Sequence, residues 1–344
     1  MLTRLLRPLS WLYGGITDFR NYLYDKQISR VYRPPIPTVS VGNLTVGGTG
    51  KTPMVDYILH QIQSYGPAAT LSRGYGRRTT GFRLATPADT ADTVGDEPLL
   101  LYRKHGPAVT VAVGEKRAEA IPRLLDARPD LRAIVLDDAY QHRPVQADLT
   151  LLLTDYNRLF FRDYPFPGGR LRERRHGARR ADAVVVTKCP DLLREAEQQQ
   201  IRLELAPYLR PEVPVFFAGI QYGQPVVFGG TPRQTPADTP FTLLTGIAFP
   251  RPLVDYLKKD YADTFREHLD FPDHYRFAPK DLKKLDTAEG LYLTTEKDFV
   301  KLAPLLEESG ADLSRFFYLP IEVQFLNREA EFLQLLRRPF VKNS

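Results

Sequence analysis

The segment Val39-Ser40-Val41-Gly42-Asn43-Leu44-Thr45-Val46-Gly47-Gly48-Thr49-Gly50-Lys51-Thr52-Pro53 constrains the fold of this chain more than any other. A β-branched run, Ile36–Val41, opens after Pro34-Pro35 and enters a glycine-rich turn; Gly50-Lys51-Thr52 then opens a helix that continues through Val55–Gln63. Glycines let successive backbone N–H groups curl around phosphate oxygens, and the helix N-terminus adds the positive end of its dipole. In such a turn Gly47, Gly48, Thr49, Gly50, Lys51, Thr52 and Pro53 line a nucleotide phosphate site. Lys51 then reaches the β- and γ-phosphates and Thr52 offers its hydroxyl to Mg²⁺. The match to G-x-x-x-x-G-K-[ST] is imperfect, because Thr45 stands where the first glycine belongs. The strand before and the helix after favour a phosphate site over an ordinary glycine turn.

The rest of the chain supplies a sheet for this turn. Ala68–Ser72, Val109–Val113, Ala133–Leu136, Leu149–Leu153 and Ala183–Thr187 read as short buried strands separated by helical stretches. Continuous apolar strands with intervening helices predict an α/β fold of the P-loop NTPase type, a doubly wound and mostly parallel sheet. Arg132–Asp138 is an apolar strand ending in two carboxylates, Asp137 and Asp138. At the C-terminal edge of a parallel sheet such acids sit beside the phosphate turn and hold Mg²⁺ directly or through water, or merely cap the next turn. After Gly219 the texture changes: Ile220–Phe228 and Gly229-Gly230-Thr231-Pro232 read as a linker ribbon. Strands near Phe241–Thr245, Leu291–Thr294 and Phe316–Leu319 and a final helix, Arg328–Leu336, then make a second, smaller α/β unit. The expected units are an N-terminal helical segment (1–35), a P-loop domain (36–219), the linker (220–232) and the smaller domain (233–344).

Charge and cysteine content narrow the class. One cysteine, Cys189, excludes a disulfide framework and a zinc site of paired cysteines, and makes a reducing cytosol the default compartment. No run of about 18 apolar residues is present to span a bilayer, and no signal peptide is expected at the N-terminus. The net charge of +6 is concentrated in two places. Residues 1–35 carry six cations against Asp18 and Asp25, and Arg170–Arg180 carries six arginines against Glu173, so the remainder is mildly acidic. Leu2, Leu5, Leu6, Leu9, Leu12, Tyr13, Ile16, Phe19 and Leu23 recur at helical spacing with arginines opposite, and Gly14-Gly15 mark a possible kink. Such a helix lies in the headgroup region of an anionic leaflet, or packs on the body with its arginines solvated. Nucleic acid is disfavoured, since the arginines lack interleaved stacking aromatics and any module pattern.

The turn alone leaves motors, GTPase switches, partitioning ATPases and small-molecule kinases open. Thr187-Lys188-Cys189-Pro190-Asp191 differs from a guanine-reading NKxD by one residue of spacing, which argues against a GTPase. Gly95-Asp96-Glu97-Pro98 sits at a strand-to-helix junction, where Asp96 is a base or only an N-cap. Arg73-Gly74-Tyr75-Gly76-Arg77 follows a strand, and Phe271-Pro272-Asp273-His274-Tyr275 reads as a loop with a histidine.

In this order, these segments resemble the tetraacyldisaccharide 4′-kinases, the lipid A 4′-kinases of Gram-negative bacteria. The resemblance covers most of the chain and also includes Asp137-Asp138-Ala139-Tyr140-Gln141-His142, Gly169-Arg170-Leu171-Arg172-Glu173 and Thr294-Thr295-Glu296-Lys297-Asp298. Thr45 is then explained, because the family carries a hydroxyl residue there. Ala139 departs from the family's usual glycine, with mild strain expected if its φ is positive. The resemblance implies transfer of the γ-phosphate of ATP to the 4′-hydroxyl of a tetraacylated glucosamine disaccharide 1-phosphate. It places that reaction at the cytoplasmic face of the inner membrane, reached peripherally through the N-terminal helix. It implies Asp96 as general base with His274 as its partner; an ordinary Asp pKa of about 3.9 makes a weak base for an alcohol, so a tuning histidine is physically reasonable. It further implies Lys51 and Thr52 on phosphate and Mg²⁺, Asp138 and Glu173 as further metal or water-shell ligands, and Arg172 as a phosphate-neutralising group. Asn43, Arg73, Tyr75, Asp137, Gln141 and His142 line the same edge, and Thr294–Asp298 either faces the nucleotide or is a strand end with a helix cap. With Asp96 and His274 in different units, catalysis is expected to need closure of the cleft between them. The competing expectation is a membrane-associated P-loop ATPase switch with no small-molecule acceptor.

Overall fold

A computed structural model describes residues 6–283, 285 and 290–341. Leu2, Arg4 and Leu5, counted above in the N-terminal pattern, lie outside the described residues. The first strands in chain order are β1 (Thr38–Asn43), β2 (Ala68–Ser72), β3 (Arg83–Leu84), β4 (Val109–Val113), β5 (Ala133–Asp137), β6 (Leu149–Asp155), β7 (Ala183–Thr187) and β8 (Val215–Tyr222). They are followed by β9 (Val226–Val227), β10 (Phe241–Thr245), β11 (Phe265–Asp270), β12 (Tyr292–Thr295), β13 (Phe316–Leu319) and β14 (Ile321–Phe325). Five helices bear on the site: α1 (Arg7–Asp25), α2 (Lys51–Ile62), α3 (Asp96–His105), α4 (Glu296–Ser309) and α5 (Glu329–Val341).

The strands form two sheets. The larger runs β14-β8-β7-β6-β1-β5-β2-β4-β3, parallel from β8 to β4 with an antiparallel strand at each edge. The smaller runs β11-β10-β12-β13-β9, parallel except for β9. Strands β1, β2, β5 and β7 are buried along their whole length, which is why they read as unbroken apolar runs. Val39, Val41, Val135 and Leu151 in the middle of the large sheet pack against Met54, Val55, Ile58 and Leu59 of α2. Burying each such side chain contributes about 1.5–3 kcal/mol, and the result is a rigid seat for the turn between β1 and α2.

Two stretches differ from the sequence reading. Residues 220–222, expected in the linker, extend β8, and β14 returns from the smaller unit to pair with it, Ile321 opposite Tyr222 and Phe325 opposite Ala218. Helix α5 follows it, and Phe332 meets Phe216 and Phe325 at centroid distances of 5.3 and 4.6 Å. The last strand and helix therefore belong to the core of the large sheet, not to the smaller unit. Their apolar residues fit either core, and only the strand pairing decides between them.

Helix α1 is the second difference. It runs unbroken through Gly14 and Gly15, and a Cβ on Gly14 would come within 2.5 Å of Arg174 Nε. That glycine serves close packing and is not a bend. The face turned to the body is polar. Ser10 accepts from Gly168 N–H (2.8 Å), Tyr13 donates to the Arg172 carbonyl (2.9 Å), and Asn21 donates to Glu173 (2.7 Å). Asp18 pairs with Arg174 and His176, each at 3.0 Å. Leu9, Trp11, Leu12, Ile16, Phe19 and Tyr22 face outward, between 51% and 75% exposed. This is the reverse of a helix packed on a soluble core.

Candidate active site

The phosphate turn is braced on three sides. Asn43 Nδ2 donates to Thr49 Oγ1 (2.7 Å), Thr187 Oγ1 donates to the Thr49 carbonyl (2.9 Å), and Val46 N–H donates to the Arg170 carbonyl (2.8 Å). Gly47 and Gly50 adopt φ of 114° and 75°, left-handed conformations that glycine takes without strain and that let the chain turn tightly ahead of α2. Asn43 is buried and shapes the turn from behind. Lys188, from the segment weighed as a nucleobase reader, donates to the Gly48 carbonyl and to Asp155 (2.9 Å).

Opposite the turn, β5 ends in Asp137, with Val41 of β1 as its register partner. Lys51 Nζ lies 3.6 Å from Asp138 Oδ1, and Arg172 Nη1 lies 2.9 Å from both oxygens of that carboxylate. Burial alone would raise the Asp138 pKa, but the charges of Lys51 and Arg172 prevail and hold it low. Asp137 is pushed up to about 7 by burial and by the negative charge of Glu97, and its Oδ1 has no hydrogen-bond partner among the described residues. The left-handed residue in this turn is Asp138 (φ 48°); Ala139 is not, so the expected strain at alanine does not arise.

Glu173, expected as a metal or water-shell ligand, sits among side chains of α1, the turn after β5 and its own loop. It is 1% exposed, and both oxygens are taken, by Arg180 (2.7 and 2.9 Å), Asn21 (2.7 Å) and Gln141 (3.1 Å). So engaged, the carboxylate ties α1 to the edge of the site. Gln141 continues the tie by donating to the Asn43 carbonyl (2.8 Å). His142 accepts from Arg117 N–H (3.1 Å), and burial together with the Arg117, Arg20 and Arg73 charges lowers its pKa to about 4, so it is neutral. The basic run 170–180 is likewise mostly internal bracing. Arg174 and Arg180 serve α1 and Glu173, Arg175 donates to the Asp163 carbonyl (2.9 Å), and Arg172 alone among these four faces the Asp138 edge.

The second half of the site is already assembled. His274 Nδ1 lies 2.9 Å from Asp96 Oδ2, joining the first turn of α3 to a loop of the smaller unit. The two units meet at this contact. Tyr75 meets the His274 ring edge-on at 5.3 Å, and Arg276 donates to the Gly76 carbonyl (2.8 Å). Burial would raise the Asp96 pKa, yet the hydrogen bond with His274 and the charge of Lys297 bring it down to about 2. His274 moves up, chiefly through the same hydrogen bond. Lys297 joins this group although the sequence offers it only as one member of a motif; its place at the N-terminus of α4, straight after a buried strand, is the signal that could have found it.

A second histidine cluster is structural. Asp56, His60 and His105 bring three potential metal donors within 4.8 Å of one another. However, Asp56 is bonded to His105 (2.7 Å) and to Lys104 (2.7 Å), and Lys104 reaches on to Glu296 (3.4 Å). The chain of contacts locks α2, α3 and α4 together, and so fixes the turn relative to Asp96.

A strand-turn-helix anion nest with a lysine, an acidic strand end beside it, and an Asp–His pair facing the cleft define a P-loop kinase. Comparisons with known proteins agree. The family model for tetraacyldisaccharide-1-P 4′-kinase matches residues 2–340. The chain is 40% identical to the tetraacyldisaccharide 4′-kinase of Cytophaga hutchinsonii, over 98% of this chain and 95% of that protein. It is 42% identical to the enzyme of the same name from Flavobacterium johnsoniae, over 96% and 95%. Among solved structures, that of LpxK from Aquifex aeolicus in complex with ATP superposes with a TM-score of 0.78 at 29% identity, covering 99% of this chain and 100% of that one. The chain belongs to the tetraacyldisaccharide 4′-kinase family and is a kinase of lipid A biosynthesis.

Proposed function

We propose that the enzyme moves the γ-phosphate of ATP to the 4′-hydroxyl of a tetraacylated glucosamine disaccharide 1-phosphate, with Asp96 accepting the hydroxyl proton. The sugar oxygen forms a bond to the γ-phosphorus as the bond to the β-γ bridging oxygen breaks, and that electron pair leaves with ADP. Asp96 with a pKa of about 2 is ionised throughout the physiological range. Phosphoryl transfer passes through a loose transition state, so the base chiefly orients the hydroxyl and takes its proton late. His274 holds the carboxylate in place through its 2.9 Å bond to Oδ2, while Oδ1 accepts from Glu97 N–H (3.0 Å) and keeps a second lone pair for the hydroxyl. The Asp96–His274 bond across two sheets is the observation that carries the reading.

Lys51, the N–H groups of Gly47–Gly50 and Arg172 are assigned to phosphate charge. The donor set also fits Mg²⁺: Thr52 offers a hydroxyl at the start of α2, Asp138 a half-buried carboxylate, and Asp137 a buried oxygen with no partner among the described residues. When bound, the ion neutralises charge on the transferring phosphates. The outward apolar face of α1 supports peripheral binding to the cytoplasmic leaflet of the inner membrane, where an acylated substrate resides. No helix among the described residues is long and apolar enough to cross a bilayer. The test is incubation with γ-labelled ATP and the acylated disaccharide 1-phosphate. Acceptor-dependent formation of a bisphosphorylated glycolipid is expected, whereas phosphate release with no labelled lipid would support the switch reading instead.

A further inference from the structure

Lys297 has no part in the roles assigned so far, yet it sits at the centre of the Asp–His pair. Its Nζ lies 3.3 Å from His274 Nε2, 3.6 Å from Asp96 Oδ2, 3.4 Å from Glu97 Oε1 and 4.0 Å from Asp273 Oδ1. An ammonium group has three donors and no acceptor. Toward Nε2 it can only donate, which favours a lone pair on that nitrogen and the ring proton on Nδ1, pointing at Asp96, against Asp273 Oδ2 at 3.8 Å from the same Nε2. We propose that Lys297 is a positioning residue which, by donating to His274 Nε2, favours the Nδ1–H tautomer and opposes protonation of the ring while Asp96 is ionised. The inference rests on the Asp96–His274 reading and adds a third member to it.

The local scaffold holds this geometry. Asp298, next in the chain and fully buried, accepts from Gly246 N–H (2.8 Å) and from Thr295 Oγ1 (2.8 Å) and pairs with Lys301 (2.8 Å). The Gly246 carbonyl in turn accepts from His274 N–H (3.1 Å), and Lys301 donates to the Tyr275 carbonyl (3.2 Å). One short segment at the start of α4 therefore sets both the lysine and the backbone of the histidine.

The groups facing His274 are Asp96 and Glu97 from α3, Lys297 and Lys301 from α4, Asp273 from its own loop, and Tyr75 from the turn after β2. Asp96 and Asp273 favour the imidazolium, and Lys297 opposes it. An imidazolium would bind Asp96 more tightly and make it a poorer acceptor for the sugar hydroxyl. Removing the lysine charge should therefore raise the pH at which activity fails on the acid side.

The experiment compares Lys297→Met and Lys297→Arg in the full chain, by kcat against pH, KM for ATP, and ¹⁵N NMR of the His274 ring. For Lys297→Met we expect kcat at neutral pH to fall by about tenfold or more with KM for ATP changed by no more than about twofold. The acid limb should move up by about one pH unit, and Nε2 should shift from the unprotonated toward the protonated range. Lys297→Arg, which keeps the charge, should hold the limb near its wild-type position. An acid limb and a tautomer unchanged in Lys297→Met would overturn the proposal, as would a wild-type spectrum showing a proton on Nε2 at neutral pH. Should Lys297→Met fail to fold, the wild-type spectrum and Lys297→Arg still decide. Full turnover in Asp96→Asn would instead bring down the Asp–His reading itself, so the two failures are distinguishable.

Discussion

The outward face of α1 allows a perturbation whose effects in water and at a membrane should separate cleanly. The change is Ile16→Glu with Phe19→Glu, two residues that are 62% and 65% exposed. Six large apolar side chains on this face, at roughly 100 Å² each, present on the order of 600 Å². At about 25 cal/mol per Å² their complete dehydration is worth on the order of 15 kcal/mol, and half-immersion in the headgroup region about half of that. Two of the six then contribute about 2.5 kcal/mol together, and each added carboxylate costs about 1 kcal/mol more against an anionic surface. The double variant should therefore lose about 4.5 kcal/mol of membrane affinity, or roughly two thousandfold in partition. Both side chains are already in water in the folded protein, so unfolding free energy should change by no more than about 0.5 kcal/mol each. Flotation with anionic liposomes and thermal unfolding read the two quantities. Undiminished flotation would show that the arginines alone hold the protein to the leaflet. A fall of many degrees in Tm would show that this face packs on protein, and would refute the reasoning.

Two further predictions concern buried charge. Glu173→Gln leaves the Arg180 guanidinium without its counter-ion and should cost about 3–5 kcal/mol of stability, seen as a large drop in Tm; a drop of a degree or two would mean Glu173 is not the tie described. Asp96, with its pKa depressed to about 2, stabilises the fold fully above its unfolded pKa of about 3.8, and this contribution is lost as pH falls through 2. It amounts to about 2 kcal/mol, so urea unfolding of Asp96→Asn should show less loss of stability between about pH 4 and pH 2 than the wild type, and parallel curves would contradict the shift. His274 has the opposite sign: its raised pKa contributes stability below about 6.5 that is lost as pH rises through the folded value.

Where the sequence is informative, residue chemistry leaves few alternatives. The turn before Lys51 needs a strand, glycines and a helix in that order, so β1 and α2 follow from it, as do the buried strands that flank them. Glu173 shows the limit. A carboxylate in a basic loop shows its charge in the sequence but not its partners, and only the fold brings Asn21, Gln141 and Arg180 to it. Helix α1 is illegible in a related way. Its apolar stripe can be read, but which stripe meets the body depends on Ser10, Tyr13 and Asn21 finding backbone and carboxylate partners more than 150 residues away. Strand β14 escapes the sequence because Ile321–Phe325 gains its place from pairing with β8, a contact of long sequence separation that local propensity does not encode. Lys297 needs the junction of two units before its neighbours become visible.

The most direct measurement of the central claim is a double-mutant cycle on Asp96→Asn and His274→Ala, read as acceptor-dependent kcat at saturating ATP. If the two act as one unit, each single variant loses about 10²-fold or more, and the double variant loses little beyond the worse single one. Losses that multiply would show that His274 does not act through Asp96, and would contradict the Asp–His pair as the centre of this kinase.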